Sequence, residues 1–259
     1  MRRPTRITLA LSAAVALSLT APASLAAPAP APANHTSKPS RATAVNVTTP
    51  ATPPTRTAPP APAPTSRADL DGDGRPDRTT LTTVRTTARA HTFRLTTRTA
   101  TGRTISTLIT IPANLDDTTT KDVWWGAAPI DGVPGAEVVL DRMAGVGDFP
   151  DCAVYTIRKG TFRVLRAPGA KSDRTDWSVS NHPTQVSGYA FSTSRGVRRV
   201  VATRLTKTGG TWDAPVYSGF RTTYRWARTG WIRTGSERLR NVSDQRAQTF
   251  AGWVGITLR

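Results

Sequence analysis

From Asp69 onward, apolar and polar residues alternate with a period of two over short runs. Ile105, Ile109 and Ile111 share one parity, as do His91, Phe93 and Leu95, then Ala153, Tyr155 and Ile157, then Phe162 and Val164, with Thr, Arg and Ser mostly between them. Alternation of this kind sends successive side chains to opposite faces, so the runs predict β-strands with one buried and one wet face. Gly, Pro, Asn and Asp separate them, as turns require. No stretch sustains a helical period; the longest candidate, Ser243 to Phe250, is a turn or two. The predicted fold class is all-β.

The pattern also repeats. Asp71-Gly72-Asp73-Gly74-Arg75-Pro76-Asp77 lies over Asp131-Gly132-Val133-Pro134-Gly135-Ala136-Glu137 at an offset of 60, and each is followed by a strand-like run. An aromatic strand, a Gly turn and a second strand recur at Phe93 to Ile105 around Gly102, Tyr155 to Leu165 around Gly160, and Tyr224 to Ile232 around Gly230. Repeat-like units over 69–111, 122–168 and 184–234 suggest blade-like β-repeats, each sheet burying a face on the next. A partial or irregular β-propeller and a single sandwich both fit that description.

The first 68 residues read differently. Arg2, Arg3 and Arg6 precede an apolar run from Ile7 to Leu19 and small residues at Ser24, Leu25 and Ala26, the layout of a signal peptide over 1–26. Residues 27–68 are almost wholly Pro, Ala, Thr and Ser, with eleven of the 21 prolines, no acid and no aromatic. Such a segment has too little apolar surface to build a core and predicts a disordered, proline-stiffened tether reaching about 130 Å at ~3.1 Å per residue. The remaining 69–259 form the predicted β-repeat domain of a secreted, extracellular or wall-associated protein. No run is long enough to predict a membrane-spanning helix. The single cysteine, Cys152, excludes an internal disulfide; it reads as a small buried apolar residue, with an exposed dimerising thiol as the alternative.

Candidate chemistry concentrates in Asp69-Leu70-Asp71-Gly72-Asp73-Gly74-Arg75-Pro76-Asp77. Carboxylates at positions 1, 3, 5 and 9 with Gly at 6 are the spacing of a calcium loop, in which alternate residues of a tight turn aim oxygens at one hard cation. The predicted ligands are Asp69, Asp71, Asp73, the carbonyl of Arg75, and Asp77. Position 12 is Thr80 in a strand-like run, which excludes an EF-hand. Magnesium fits less well because it prefers water-rich octahedral sites.

Ala68 to Asp77 resembles the calcium signature of FG-GAP and VCBS repeats, found in secreted bacterial proteins and integrin alpha-subunit propellers. Trp125-Gly126-Ala127-Ala128-Pro129 before Asp131 is similar to the aromatic-Gly pair those families place ahead of the loop. The resemblance covers the first loop and, in degraded form, the second, and it implies calcium-braced propeller blades with an adhesive or ligand-binding role. In the second loop Pro129 and Val133 stand where Asp69 and Asp73 would, and a third loop near Ser192 to Arg198 has no carboxylate. One calcium ion is therefore expected, in a structural role.

Charge and aromatic content add partners. From Asp69 onward 28 Lys/Arg face 17 Asp/Glu, leaving +11. A field of that sign attracts an anionic cell-wall polymer or another acidic extracellular partner, with no specific nucleic acid implied; a GC-rich genome also produces arginine-rich composition without selection for a ligand. The seven tryptophans, Trp124, Trp125, Trp177, Trp212, Trp226, Trp231 and Trp253, predict sheet packing, with a sugar-stacking platform as the alternative. His35, His91 and His182 lack zinc-ligand spacing, and no nucleophile elbow or phosphate loop occurs. The chain reads as a non-enzymatic binding module. A secreted polysaccharide hydrolase acting through Asp116 and Asp117, or Asp173 and Asp176, is the alternative.

Overall fold

The structure is a computed structural model that describes residues 63–113, 118–143, 150–170, 176–228 and 230–259. The predicted signal peptide and residues 27–62 of the tether, together with His35, Asp116, Asp117 and Asp173, lie outside the described residues.

Among the described residues three sheets follow one another along the chain, antiparallel apart from one short parallel pair in the third, and none closes on itself. The first is a meander of β1 (Thr65–Ser66), β2 (Arg78–Thr87), β3 (Ala90–Arg98) and β4 (Thr104–Pro112). A single helical turn, α1 (Thr120–Val123), leads into the second: β5 (Trp124–Ala128), β6 (Glu137–Asp141), β7 (Asp151–Arg158) and β8 (Thr161–Leu165), with β9 (Trp177–Ser178) beside β8 on the far edge of β7. The third runs β10 (Ser180–His182), β11 (Gln185–Ser194), β12 (Val197–Gly210), β13 (Pro215–Ala227) and β14 (Gly230–Ser243). After the short helix α2 (Asp244–Gln248), β15 (Gly252–Val254) pairs parallel with β11, and Arg259 exchanges backbone hydrogen bonds with Ala127 at the edge of the second sheet.

Packing explains the order of the sheets. Leu81, Phe93, Leu95, Ile105, Ile109 and Ile111 of the first sheet form one core with Val138, Leu140 and Ile157 of the second. The next residues of the same middle strands, Val139, Cys152 and Val154, point the other way and join Tyr189, Phe191, Val200 and Ala202 of the third sheet. The second sheet is thus the filling of a three-layer stack. Both faces of β6 and β7 are buried, so the wet face predicted for Ala153, Tyr155 and Ile157 is absent: the intervening Val154 is as buried as they are. A strand covered on both sides loses its alternation. The predicted one-sided burial does describe β3, where His91, Phe93 and Leu95 are buried between more exposed neighbours.

The ordered sheet also starts earlier than Asp69. Thr65 and Ser66 pair with Thr80 and Thr79, and Ser66 is buried, so the last residues of the Pro/Ala/Thr segment belong to the folded body. Their composition shows no such role because pairing of backbone amides needs no particular side chain. Among the described residues, no helix is long and apolar enough to cross a membrane.

The aromatic residues go mainly into these cores. Trp177 is fully buried, stacks on Trp253 with centroids 5.4 Å apart, meets Tyr189 edge-on at 4.9 Å, and donates its indole N–H to the Leu165 carbonyl at 2.9 Å. Trp124, Trp125, Trp226, Trp231 and Trp253 are half-buried against the two inter-sheet cores. Of the tryptophans, Trp212 alone is widely exposed, at 60%. This distribution is that of packing residues.

Candidate metal centre

Two loops with the same fold sit at one end of the stack. The first, 69–77, leads into β2; the second, 129–137, leads into β6. Each begins by tucking one aliphatic side chain, Leu70 or Ile130, fully into the core. In each, the backbone N–H of that aliphatic residue donates to the last acid of the loop: Leu70 to Asp77 Oδ2 at 2.8 Å, Ile130 to Glu137 Oε2 at 2.7 Å. In each, a backbone N–H donates back to the acid two residues before it, Asp73 N–H to Asp71 at 3.3 Å and Val133 N–H to Asp131 at 2.7 Å. The offset of 60 read from the sequence is therefore a repeat of hydrogen-bonding geometry as well as of residue types.

The loops lie against each other. Ala136 N–H donates to the Asp69 carbonyl at 2.6 Å. Gly72 has φ +81°, and a Cβ there would meet the Pro134 carbonyl oxygen at 2.6 Å, so both its conformation and its neighbour demand glycine. Gly135 faces Leu70 in the same manner, with φ +111° and 2.9 Å to the Leu70 oxygen.

In the first loop, Asp69, Asp71 and Asp77 bring ligand oxygens within 4.8 Å of one another, a group that could hold a metal ion. Asp77 is buried and anchored: besides Leu70, the N–H groups of Asp71 and Ala100 donate to it at 3.2 and 2.9 Å. Asp69 accepts from Gly72 at 2.7 Å and Gly74 at 2.8 Å, one bond on each oxygen. Asp71 is exposed, and its carboxyl is raised above the ordinary range by desolvation and by the negative charges of Asp77, Asp73 and Asp69. Asp73 stands apart from this group. Its carboxylate accepts from the Arg75 N–H at 2.8 Å and pairs with the Arg75 guanidinium at 3.2 Å, which turns Arg75 into a partner of Asp73.

The second loop shows what a cation does in this frame. Arg158, at the end of β7, places one guanidinium nitrogen 2.7 Å from Asp131 and 3.2 Å from Glu137, the residues that stand over Asp71 and Asp77. Glu137 also accepts from the Thr156 hydroxyl at 3.1 Å. Burial raises both acids, and Asp131 pushes Glu137 further, to about 7; Arg158 opposes this without cancelling it. On the far side, Arg198 of β12 donates to the carbonyls of Pro129 and Ile130 while lying over Phe191 at 5.3 Å. The stretch Ser192 to Arg198, expected to be an acid-free third loop, is the β11–β12 hairpin that delivers this arginine.

Among the described residues no arginine or lysine is ion-paired with Asp69, Asp71 or Asp77. The three acids share a centre with no ion-paired arginine or lysine among the described residues, whereas their counterparts are served by Arg158. That role of Arg158 was not read from the sequence, since it arrives from a neighbouring strand. Of the acids considered for hydrolysis, Asp176 is tied to Arg142 at 2.6 Å. No protein-family model, curated protein or solved structure matches this chain.

Proposed function

We propose that the chain is an extracellular, non-catalytic binding module in which one calcium ion, held by Asp69, Asp71 and Asp77, braces a stack of blade-like β-repeats akin to FG-GAP and VCBS repeats. The supporting observation is the matched pair of loops: one has its acids bridged by a guanidinium, and the other has its acids converging with no ion-paired cation among the described residues. Three carboxylates suit a hard divalent ion that completes its shell with carbonyl oxygen and water. The ion is structural in this reading, because Asp77 and Asp69 are already fixed by backbone N–H groups and the loop lies against the second loop and so against the sheet stack. The module's partner is an anionic wall polymer or an extracellular protein, drawn by the basic surface.

Thermal unfolding of the full chain in calcium and in excess chelator tests the brace. An ion present at ~100 times its dissociation constant adds about 2.7 kcal/mol, which raises the midpoint of a domain of this size by roughly 5 to 10 °C. Coincident midpoints would overturn the reading.

A further inference from the structure

The positive charge is not shared among the three sheets. Residues 69–179 carry 15 Lys/Arg against 14 Asp/Glu, a balance of +1, whereas residues 180–259 carry 13 against 3, a balance of +10. Each part has twelve arginines, in 111 and 80 residues; the larger difference is in the acids, fourteen against three. A compositional bias toward arginine accounts for the first fact and not for the second. The third sheet is therefore a positively charged body attached to two nearly neutral ones.

Register places the charge on a defined face. Directly opposed residues of paired strands project to the same side, and Arg204 of β12 opposes Phe220 of β13, which opposes Arg238 of β14. Both arginines are exposed, and Phe220 is 52% exposed although it stands mid-strand. With strands ~4.8 Å apart, the two arginine positions are about 10 Å apart across the aromatic ring. Hydroxyls flank the row on the same face: Thr222 and Ser236 are hydrogen-bonded at 3.2 Å on one side, and Thr208 and Ser218 at 3.1 Å on the other. Val200 and Ala202 of the same face pack into the core shared with the second sheet, so the row lies where that cover ends, and the opposite face is covered differently. There Leu205, Tyr217, Leu239 and Val242 are covered by Ala247 of α2 and by Phe250, and Arg221 pairs with Glu237.

We propose that the Arg204–Phe220–Arg238 row is the binding surface for an acidic polysaccharide bearing uronate carboxylates, an inference that rests on reading the chain as a binding module. Each guanidinium offers a planar fork matched to a carboxylate. The Phe220 ring takes the C–H face of the sugar between them, and the Thr and Ser hydroxyls meet ring hydroxyls. A single-stranded nucleic acid is the poorer fit, because successive bases need successive aromatic platforms and this row provides one.

The test is binding of the full chain, in calcium, to an immobilised hyaluronate fragment at about 50 mM and about 500 mM NaCl, where screening separates charge-driven association from the rest. Binding should weaken at the higher salt. It should fall about tenfold or more in the Arg204→Ala/Arg238→Ala double variant, and about threefold in Phe220→Ala. The Arg85→Ala/Arg89→Ala variant, which removes two exposed arginines from the first sheet, should bind as the parent does. Equal losses in the two double variants, tighter binding to single-stranded DNA of the same length, or no binding to hyaluronate would each overturn the proposal. The calcium-dependent melting shift is read on the same samples: if it persists where polysaccharide binding fails, only the docking face is lost, and if it is absent where binding persists, only the metal reading is lost.

Discussion

Asp71 and Asp77 occupy one loop and carry different loads. Asp77 is buried and accepts three backbone N–H groups, from Leu70, Asp71 and Ala100, so it organises the turn whether or not an ion is bound. Asp71 is exposed and accepts one long bond from Asp73. Replacing Asp77 with Asn aims an amide N–H₂ at groups that are all donors; unfolding should become easier by about 2 to 4 kcal/mol in chelator, and by more in calcium, where a ligand is lost as well. Asp71→Ala should leave the chelator midpoint within about a degree of the parent and remove the calcium-dependent gain, since surface substitutions cost little. Melting both variants in both conditions separates the turn-forming role, which Asp77 alone carries, from the metal contact that both share. A single residue also settles the cysteine question: Cys152 is fully buried and its thiol is pushed well above the ordinary range by burial. A thiol reagent should leave it untouched in native protein and modify it only at a rate set by unfolding; prompt stoichiometric labelling would contradict the core assignment.

At the scale of elements, Arg158 is the side chain to remove. It holds Asp131 and Glu137 from the end of β7, and both acids are buried. Arg158→Ala strands two buried carboxyls and should cost about 3 to 5 kcal/mol near neutral pH. The sign of the pH dependence follows from Glu137, whose carboxyl is raised from its ordinary 4.5 to about 7, first by burial and then by Asp131. A group that binds its proton more tightly when folded contributes stability that is fully present below its ordinary value and is lost as pH climbs through the folded one. The midpoint of the parent should therefore decline from about pH 5 to pH 8, and more steeply in Arg158→Ala, measured by unfolding across that range; a flat difference between the two proteins would contradict the electrostatic role. What the sequence could show of this arrangement was local. The spacing of Asp69, Asp71 and Asp77 signals a common centre because alternate positions of a tight loop converge. Asp73 sits at the same spacing, and its carboxylate pairs with Arg75 two residues on. Arg158 stands 21 residues from Glu137, and only the pairing of β6 with β7 brings them together.

Across the whole molecule, the all-β class was legible in the alternation, since strands with one wet face advertise it. The middle sheet was harder to read: Val138 and Leu140 face one neighbour, Val139 faces the other, and such a strand resembles any apolar run. The stacking of three sheets in chain order accounts for the two inter-sheet cores and for the neighbouring acid loops at one end. The cations follow that stack, with Arg158 reaching the acids of the second loop and Arg198 its carbonyls, and the proposed calcium ion would serve the first loop in the same way. Titration of calcium into metal-free full-length protein by isothermal calorimetry tests this most directly. One site per chain should be found in the parent and none in Asp71→Ala; no saturable heat in the parent, or an undiminished site in the variant, would contradict it.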